Sequence, residues 1–123
     1  MIQLYNYHAW CVFTNKKHRS VTTSFRIDGD RDFVVEGLSA NTGLVRVLWE
    51  LFLGDGRSAS AHPFEIPLSV DAEYPRAYPV IPPIVYLGGQ TLVINGHLAP
   101  EVNIGRRRVG VSLVVSGFKV QAE

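Results

Sequence analysis

The stretch "SVTTSFRI", residues 20 to 27, alternates between two kinds of side chain along its whole length. One face of the extended chain carries Val21, Thr23, Phe25 and Ile27, and the other carries the polar and charged residues between them. A period of two is typical of a β-strand that buries one face and leaves the other in solvent. Such strands occur mainly in antiparallel sheets, so the stretch predicts a half-buried strand of an antiparallel sheet.

The same period recurs along the chain, in "DFVVEGL" (32–38), "LVRVLWELFL" (44–53), "TLVINGHL" (91–98) and "VGVSLVVS" (109–116). Turn residues separate these segments, in "SANTG" (39–43), "GDGR" (54–57) and "LGGQ" (87–90). Short strands at regular spacing are typical of a sandwich. We therefore predict an all-β fold, an antiparallel β-sandwich of jelly-roll type with seven or eight strands. The expected core holds Val21, Phe25, Phe33, Val35, Val47, Trp49, Leu51, Leu92, Ile94, Val111 and Leu113.

The proline-rich stretch "YPRAYPVIPPIVY", residues 74 to 86, is predicted to cross the molecule in an extended conformation. Because proline has no amide donor, this stretch is not expected to form a central strand. For residues 62 to 67 we predict a short edge strand or a loop.

The composition and charge of the chain argue against several classes of protein. The chain has 123 residues, 46% hydrophobic and 19% charged, which fits one globular domain. A net charge of +1 argues against bulk electrostatic binding to nucleic acid, and we expect no direct nucleic-acid partner. The single cysteine, Cys11, excludes an intramolecular disulfide. No apolar run reaches the roughly 20 residues of a membrane helix, and no signal peptide is evident, so we expect a soluble intracellular product.

The stretch "IDGDRDF", residues 27 to 33, resembles the beginning of a calcium loop. An EF-hand counted from Asp28 needs glycine at its sixth position and glutamate at its twelfth, where this chain has Phe33 and Ser39. We therefore predict a charged turn, and a looser ion site at Asp28, Asp30 and Asp32 stays open. The four histidines lack ligand spacing, and no nucleophile motif is present. We expect neither an enzyme nor a cofactor.

Two segments suggest contacts with other proteins. Residues 1 to 14 form an aromatic strand or arm ahead of a sandwich domain over residues 15 to 123, and they place Tyr5, Tyr7, Trp10 and Phe13 close together. This segment is either a strand covered on both sides within one subunit, or an arm that packs on another subunit. The second interpretation predicts that the arm can be deleted without unfolding the domain. The run Arg106, Arg107 and Arg108 is either a solvated strand entrance or a docking contact for an acidic partner.

The order of several weak motifs resembles that of small virion-associated proteins of tailed bacteriophages. The matching residues are Asp30, Asp32 and Phe33; Gly56 and Arg57; Pro82 and Pro83; Gly88, Gly89 and Leu92; and Gly117, Phe118 and Lys119. The resemblance covers roughly residues 21 to 121. It implies a non-enzymatic component that decorates or joins parts of a capsid or tail. Its partners would be further copies of itself and a major capsid or other virion protein. It would be made in the host cytoplasm and reside in the virion.

A carbohydrate-binding module or lectin on a β-sandwich fold is the alternative. Sugar-binding sites use exposed aromatic side chains with polar groups nearby, and Tyr74, Tyr78 and Tyr86 could provide the aromatic rings. Their neighbours are mostly prolines and aliphatic residues, which favours a packed crossing instead.

Overall fold

The computed structural model describes residues 2–41, 45–52, 61–65 and 77–121. These residues form eight strands: β1 (Ile2–Phe13), β2 (Ser20–Arg26), β3 (Arg31–Asn41), β4 (Val47–Phe52), β5 (Ala61–Phe64), β6 (Ala77–Tyr86), β7 (Thr91–Leu98) and β8 (Val109–Gln121). The predicted turn at 54–57, together with Leu53 and Tyr74, lies outside the described residues. The described part of the chain has no helix with the length and hydrophobicity needed to span a bilayer.

The strands form two four-stranded sheets, and all the pairings are antiparallel. The first sheet has the order β1-β8-β3-β6 and the second has the order β2-β7-β4-β5. The pairings are nested: the first strand pairs with the eighth, the second with the seventh, the third with the sixth, and the fourth with the fifth. The prediction of an all-β protein with two antiparallel sheets is therefore confirmed.

The inward faces of the two sheets share one hydrophobic core. Nine of the eleven predicted core residues are buried, and Val21 and Phe25 are partly buried against that core. Each buried side chain of this size stabilises the fold by roughly 1.5–3 kcal/mol. The core also contains buried residues outside that predicted set, among them Phe13, Tyr86 and Ile104.

For residues 1 to 14 the sequence predicts a strand or an arm, and the structure has a strand there, since β1 pairs with β8 along its whole length, from Ile2 to Phe13. The predicted turn at 39–43 begins too early, since β3 continues to Asn41. An irregularity in the β3 pairing between Val35 and Gly37 shifts the alternation by one residue. This bulge turns Leu38 and Ala40 inward, where both are buried.

The proline-rich segment does not form a central strand, as its composition predicts. Its described residues form β6, which carries Pro79, Pro82 and Pro83 and has β3 as its one partner among the described strands, so it is an edge strand. The segment after residue 60 also forms an edge strand, β5, which pairs with β4.

Candidate interaction surfaces

The aromatic residues of β1 divide between the two faces of the first sheet. Phe13 is fully buried and packs edge-on against Trp49, with ring centroids 6.5 Å apart. Tyr7 is half-buried and lies edge-on to Phe33, with centroids 4.9 Å apart. Phe13 therefore has no exposed surface for another subunit, and Tyr7 has little, while the predicted interface itself stays a prediction. An extended strand sends alternate side chains to opposite faces, and one of those faces is the core.

The outer face of β1 is apolar and exposed. Trp10 retains 69% of its exposure, Leu4 retains 81% and Ile2 retains 69%. Tyr5 points to the inner face but sits at its margin, where it is 38% exposed. Of the four predicted aromatic contacts, Trp10 is therefore the one fully presented to a partner.

A row of apolar side chains crosses the whole outer face of the first sheet. Leu4 pairs with Phe118, Phe118 pairs with Val34, and Val34 pairs with Val85. Directly paired residues project to the same face, so the four side chains lie next to one another. Ile2 extends the row at the β1 edge. We call Ile2, Leu4, Val34, Val85 and Phe118 the outer patch. The sequence did not predict it, because its members come from four strands far apart in the chain.

The two edge strands of the first sheet, β6 and β1, differ in how easily a strand of another chain could pair with them. Strand β6 is guarded by its three prolines, which cannot donate to a neighbouring strand. Strand β1 is twelve residues long and contains no proline and no Asp, Glu, Lys or Arg. Natural edge strands are normally short, charged or broken. The β1 edge therefore has the features of a strand that pairs with another chain.

The turn "IDGDRDF" uses its aspartates to hold the protein together. Asp28 Oδ2 accepts a hydrogen bond from Lys119 Nζ at 2.8 Å, which ties the turn to β8. Asp32 Oδ1 accepts from the Gly88 amide at 2.9 Å, which ties it to the β6–β7 turn. Two of the three candidate calcium ligands thus have protein partners, as a structural turn requires.

Lys119 is the one charged side chain that is buried among the described residues, with 8% relative exposure. Its ammonium also lies 3.7 Å from the centroid of the Tyr5 ring, in cation–π geometry. The hydrogen bond between Lys119 and Asp28 raises the pKa of the lysine and lowers the pKa of the carboxyl group. The Asp28 carboxylate is therefore held by a cation of the protein itself.

The Asp28→Asn variant is expected to remove an acid-dependent part of the stability. Because the folded-state pKa of Asp28 is lowered, its contribution is present above the unfolded value of about 3.9 and is lost as pH falls through the folded value. The Tm of the native chain should exceed that of the variant near neutral pH, and the gap should close below about pH 4. Thermal melts over that range test this, with added calcium expected to change neither protein. A gap that persisted at low pH would contradict the assignment.

Arg106, Arg107 and Arg108 are all exposed, in the loop before β8. The structure brings this loop against the β1–β2 loop, which carries Lys16 and Lys17. Lys16 and Lys17 are adjacent in the sequence, but only the fold brings them close to the arginines. Five cationic side chains therefore gather at one end of the sandwich.

A chain of polar side chains crosses the outer face of the second sheet. Ser20 Oγ lies 2.7 Å from His97 Nδ1, and His97 Nε2 lies 2.8 Å from Glu50 Oε1. The next row repeats the pattern, since Thr22 donates to Asn95 Oδ1 at 2.7 Å. The His97 and Glu50 side chains keep more than a third of their exposure, so water competes for these bonds. The arrangement is that of cross-strand pairs on a solvated sheet face.

Of the tyrosines considered for sugar binding, the two that the structure describes do not form an exposed platform. Tyr86 is fully buried, and its hydroxyl donates to the Phe52 carbonyl at 2.7 Å. Burial raises its pKa. Tyr78 packs against the core.

Cys11 is also buried, and its burial raises the pKa of its thiol. A buried cysteine of this kind packs as a small hydrophobic residue, whereas a nucleophile needs a lowered pKa.

Comparisons with known proteins give little. No family model and no curated protein matches the chain. Among solved structures, the chain is similar to that of the virus-like particle of extra small virus of the giant freshwater prawn Macrobrachium rosenbergii. The identity is 12%, with 98% of this chain and 81% of that chain covered, and the TM-score is 0.36. A TM-score this low carries no argument about function.

Proposed function

We propose that the protein is a non-enzymatic structural component of a bacteriophage virion, a capsid decoration or an accessory head or tail protein. The observation that carries this proposal is the uncharged, unblocked edge of β1, bordered by the outer patch. A monomeric protein gains nothing from such an edge, which invites aggregation. An assembling subunit uses it for contact with its neighbours. The ordered motifs of the sequence supply the specific link to tailed-phage virion proteins.

We also assign the fold to the jelly-roll type. Nested pairing of the first strand with the eighth, and so on inward, is what results when one long hairpin is wrapped into two sheets. Jelly rolls of eight strands are common in capsid and lectin domains. The fold therefore suits both the virion proposal and the lectin alternative.

The contact we propose joins two copies through their β1 strands. Antiparallel pairing of two identical edges is self-complementary and gives a two-fold dimer with a continuous eight-stranded sheet. Such pairing keeps Ile2 and Leu4 of both copies, which belong to the outer patch, on the same face of the joined sheet. Main-chain hydrogen bonds would supply affinity, and the side chains that meet across the joined strands would supply specificity.

Leu4→Lys is expected to weaken self-association at least tenfold, since lysine on an edge strand is a natural block to pairing. Leu4 is 81% exposed, so the stability of the subunit should change by no more than about 0.5 kcal/mol. Ile81→Lys is the matched control, because Ile81 is 82% exposed on the proline-guarded edge. Sedimentation velocity over a wide concentration range, with electron microscopy of any assembly, measures the effect.

A native chain that stays monomeric at high concentration would remove the basis of the proposal. Equal weakening by Leu4→Lys and Ile81→Lys would place the contact elsewhere on the sheet.

The alternative of a carbohydrate-binding module loses one of its aromatic residues, because Tyr86 is buried. A glycan array on the purified protein would detect such binding. The polar row through Ser20, His97 and Glu50 contains a hydroxyl, an imidazole and a carboxylate, which are also the groups of hydrolase active sites. Its histidine and carboxylate face open solvent. We propose that this row stabilises the sheet and has no catalytic role.

A further inference from the structure

The cationic end of the sandwich contains a groove. Two neighbouring depressions, of about 480 and 350 Å³, meet at Thr14, which lines both. The first is also lined by Arg108, and the second by Lys16, Lys17, Arg106 and Arg107. No carboxylate lines either depression among the described residues. We call this feature the basic groove.

The described part of the chain provides no acidic partner for the cations of the groove. Lys16, Lys17, Arg106 and Arg108 have no ion pair or side-chain hydrogen bond within the part of the chain that is described. Arg107 donates only to the Ile104 carbonyl, at 3.3 Å. The groove thus holds five of the twelve Lys and Arg residues. A net charge of +1 for the chain hides this concentration, because it averages over both ends of the molecule.

The acidic pair Glu65 and Glu101 binds a different cation. Arg46 donates to Glu65 at 2.5 Å and to Glu101 at 2.7 Å. These bonds lower the pKa of both glutamates, so both remain ionised and paired with Arg46. Neither glutamate lines the basic groove.

Hydrogen bonds hold the two loops of the groove together. Arg19 donates to Asn15 Oδ1 at 2.8 Å in its own loop and to the Val102 and Ala99 carbonyls at 3.0 and 2.9 Å in the other loop. Asn15 donates to Asn103 Oδ1 at 3.1 Å. Arg19 is consequently a positioning residue whose own charge is used internally. The exposed cations are carried on a fixed frame, which lowers the entropy that binding would cost.

An exposed aromatic ring adjoins the groove. Val12, which lines the first depression, pairs directly with Gly110. The ring of Trp10 lies over Gly110 so closely that a Cβ added there would come within 2.0 Å of it. The ring is supported from below while Trp10 keeps 69% of its exposure. A flat, supported aromatic ring and a cluster of cations are the two features that bind single-stranded nucleic acids, through stacked bases and neutralised phosphates.

We infer that the basic groove binds the phosphate backbone of a single-stranded nucleic acid and that Trp10 stacks on one of its bases. The binding is independent of sequence, because phosphates carry no sequence information. It goes beyond the proposed structural role and departs from the expectation based on net charge. In this inference the partner of the arginine run is a nucleic acid, in place of the acidic protein suggested by the sequence. The groove and the β1 contact can fail separately, since binding can be measured on the Leu4→Lys variant.

The test is fluorescence anisotropy of a labelled single-stranded oligonucleotide with the full chain, at about 50 to 200 mM salt. We expect log Kobs to fall with log salt concentration with a slope of about −3 to −4, as for five phosphates on a single strand. Replacing both Arg106 and Arg108 by alanine should make the slope shallower by about 1.4. Trp10→Ala should weaken binding about tenfold and leave the slope unchanged.

Arg26→Ala is the matched control, because Arg26 is an exposed cation at the far end of β2 and has no described partner. It should bind as the native chain does, and thermal melts should show all variants folded. Two results would overturn the inference. One is no anisotropy change at the lowest salt concentration. The other is equal competition by polyglutamate together with full binding by Trp10→Ala, which would identify an acidic protein surface as the partner.

Discussion

Gly117→Ala is expected to destabilise the protein by about 3 kcal/mol or more, the upper range for overpacking in a core. Gly117 lies in β8 opposite Val35 of β3, where the two central strands of the first sheet meet. A Cβ added to Gly117 would lie 1.9 Å from the Val34 carbonyl oxygen and 3.1 Å from Phe33 Cζ. The oxygen belongs to the backbone, so it cannot move aside as a flexible side chain would. The strands must separate locally and lose hydrogen bonds.

Gly29→Ala provides the matched control. Nothing lies within 4 Å of the Cβ that this substitution adds, and Gly29 is not among the glycines with positive φ. Its free energy of unfolding should stay within about 0.5 kcal/mol of the native value, or rise slightly because alanine restricts the unfolded chain. Denaturant titration of the three proteins measures the difference. Equal stability of Gly117→Ala and Gly29→Ala would show that the strands are further apart than the structure has them.

The sequence motif Gly117, Phe118 and Lys119 illustrates what pattern alone can predict. Alternation predicts a hydrophobic strand over residues 109 to 116, and the resemblance places these three residues at its end, where β8 continues to Gln121. Neither shows that Gly117 permits close approach of β3, that Phe118 contributes to the outer patch, or that Lys119 is buried against Asp28. Each role depends on a residue more than eighty positions away in the chain. Period and propensity are local, whereas these contacts arise from strand order.

The interaction surfaces were predictable to different degrees for the same reason. Exposure of the arginine run follows from its charge. The addition of Lys16 and Lys17 to it requires the two loops to meet at one end of the sandwich. For β1, alternation separates Trp10 from Tyr7 and Phe13, but it cannot indicate which face meets the core when both faces carry apolar residues. The second sheet decides this, because Phe13 packs against Trp49 from β4.

Deletion of residues 1 to 14 is expected to unfold the subunit. This is the reverse of the outcome predicted for a removable arm. The deletion removes Cys11 and Phe13 from the core, and truncating a buried phenylalanine alone costs about 3–5 kcal/mol. It also removes the pairing partner of β8 along twelve residues. A domain of this size has only about 5–15 kcal/mol of net stability, so the remainder should not fold.

Point variants separate the two faces of β1 without deleting it. Phe13→Ala, on the inner face, should lower the free energy of unfolding by about 3–5 kcal/mol. Val12→Ala, on the outer face, should lower it much less, because Val12 is 38% exposed. Circular dichroism and denaturant titration would show both effects, alongside the loss of structure in the truncated chain. A truncated chain that kept a cooperative transition would mean that β1 adds to a sandwich already complete, and the aromatic segment would again be an arm. Because its inner face fills the core, we expect instead that β1 assembles with other copies only as part of the folded sheet.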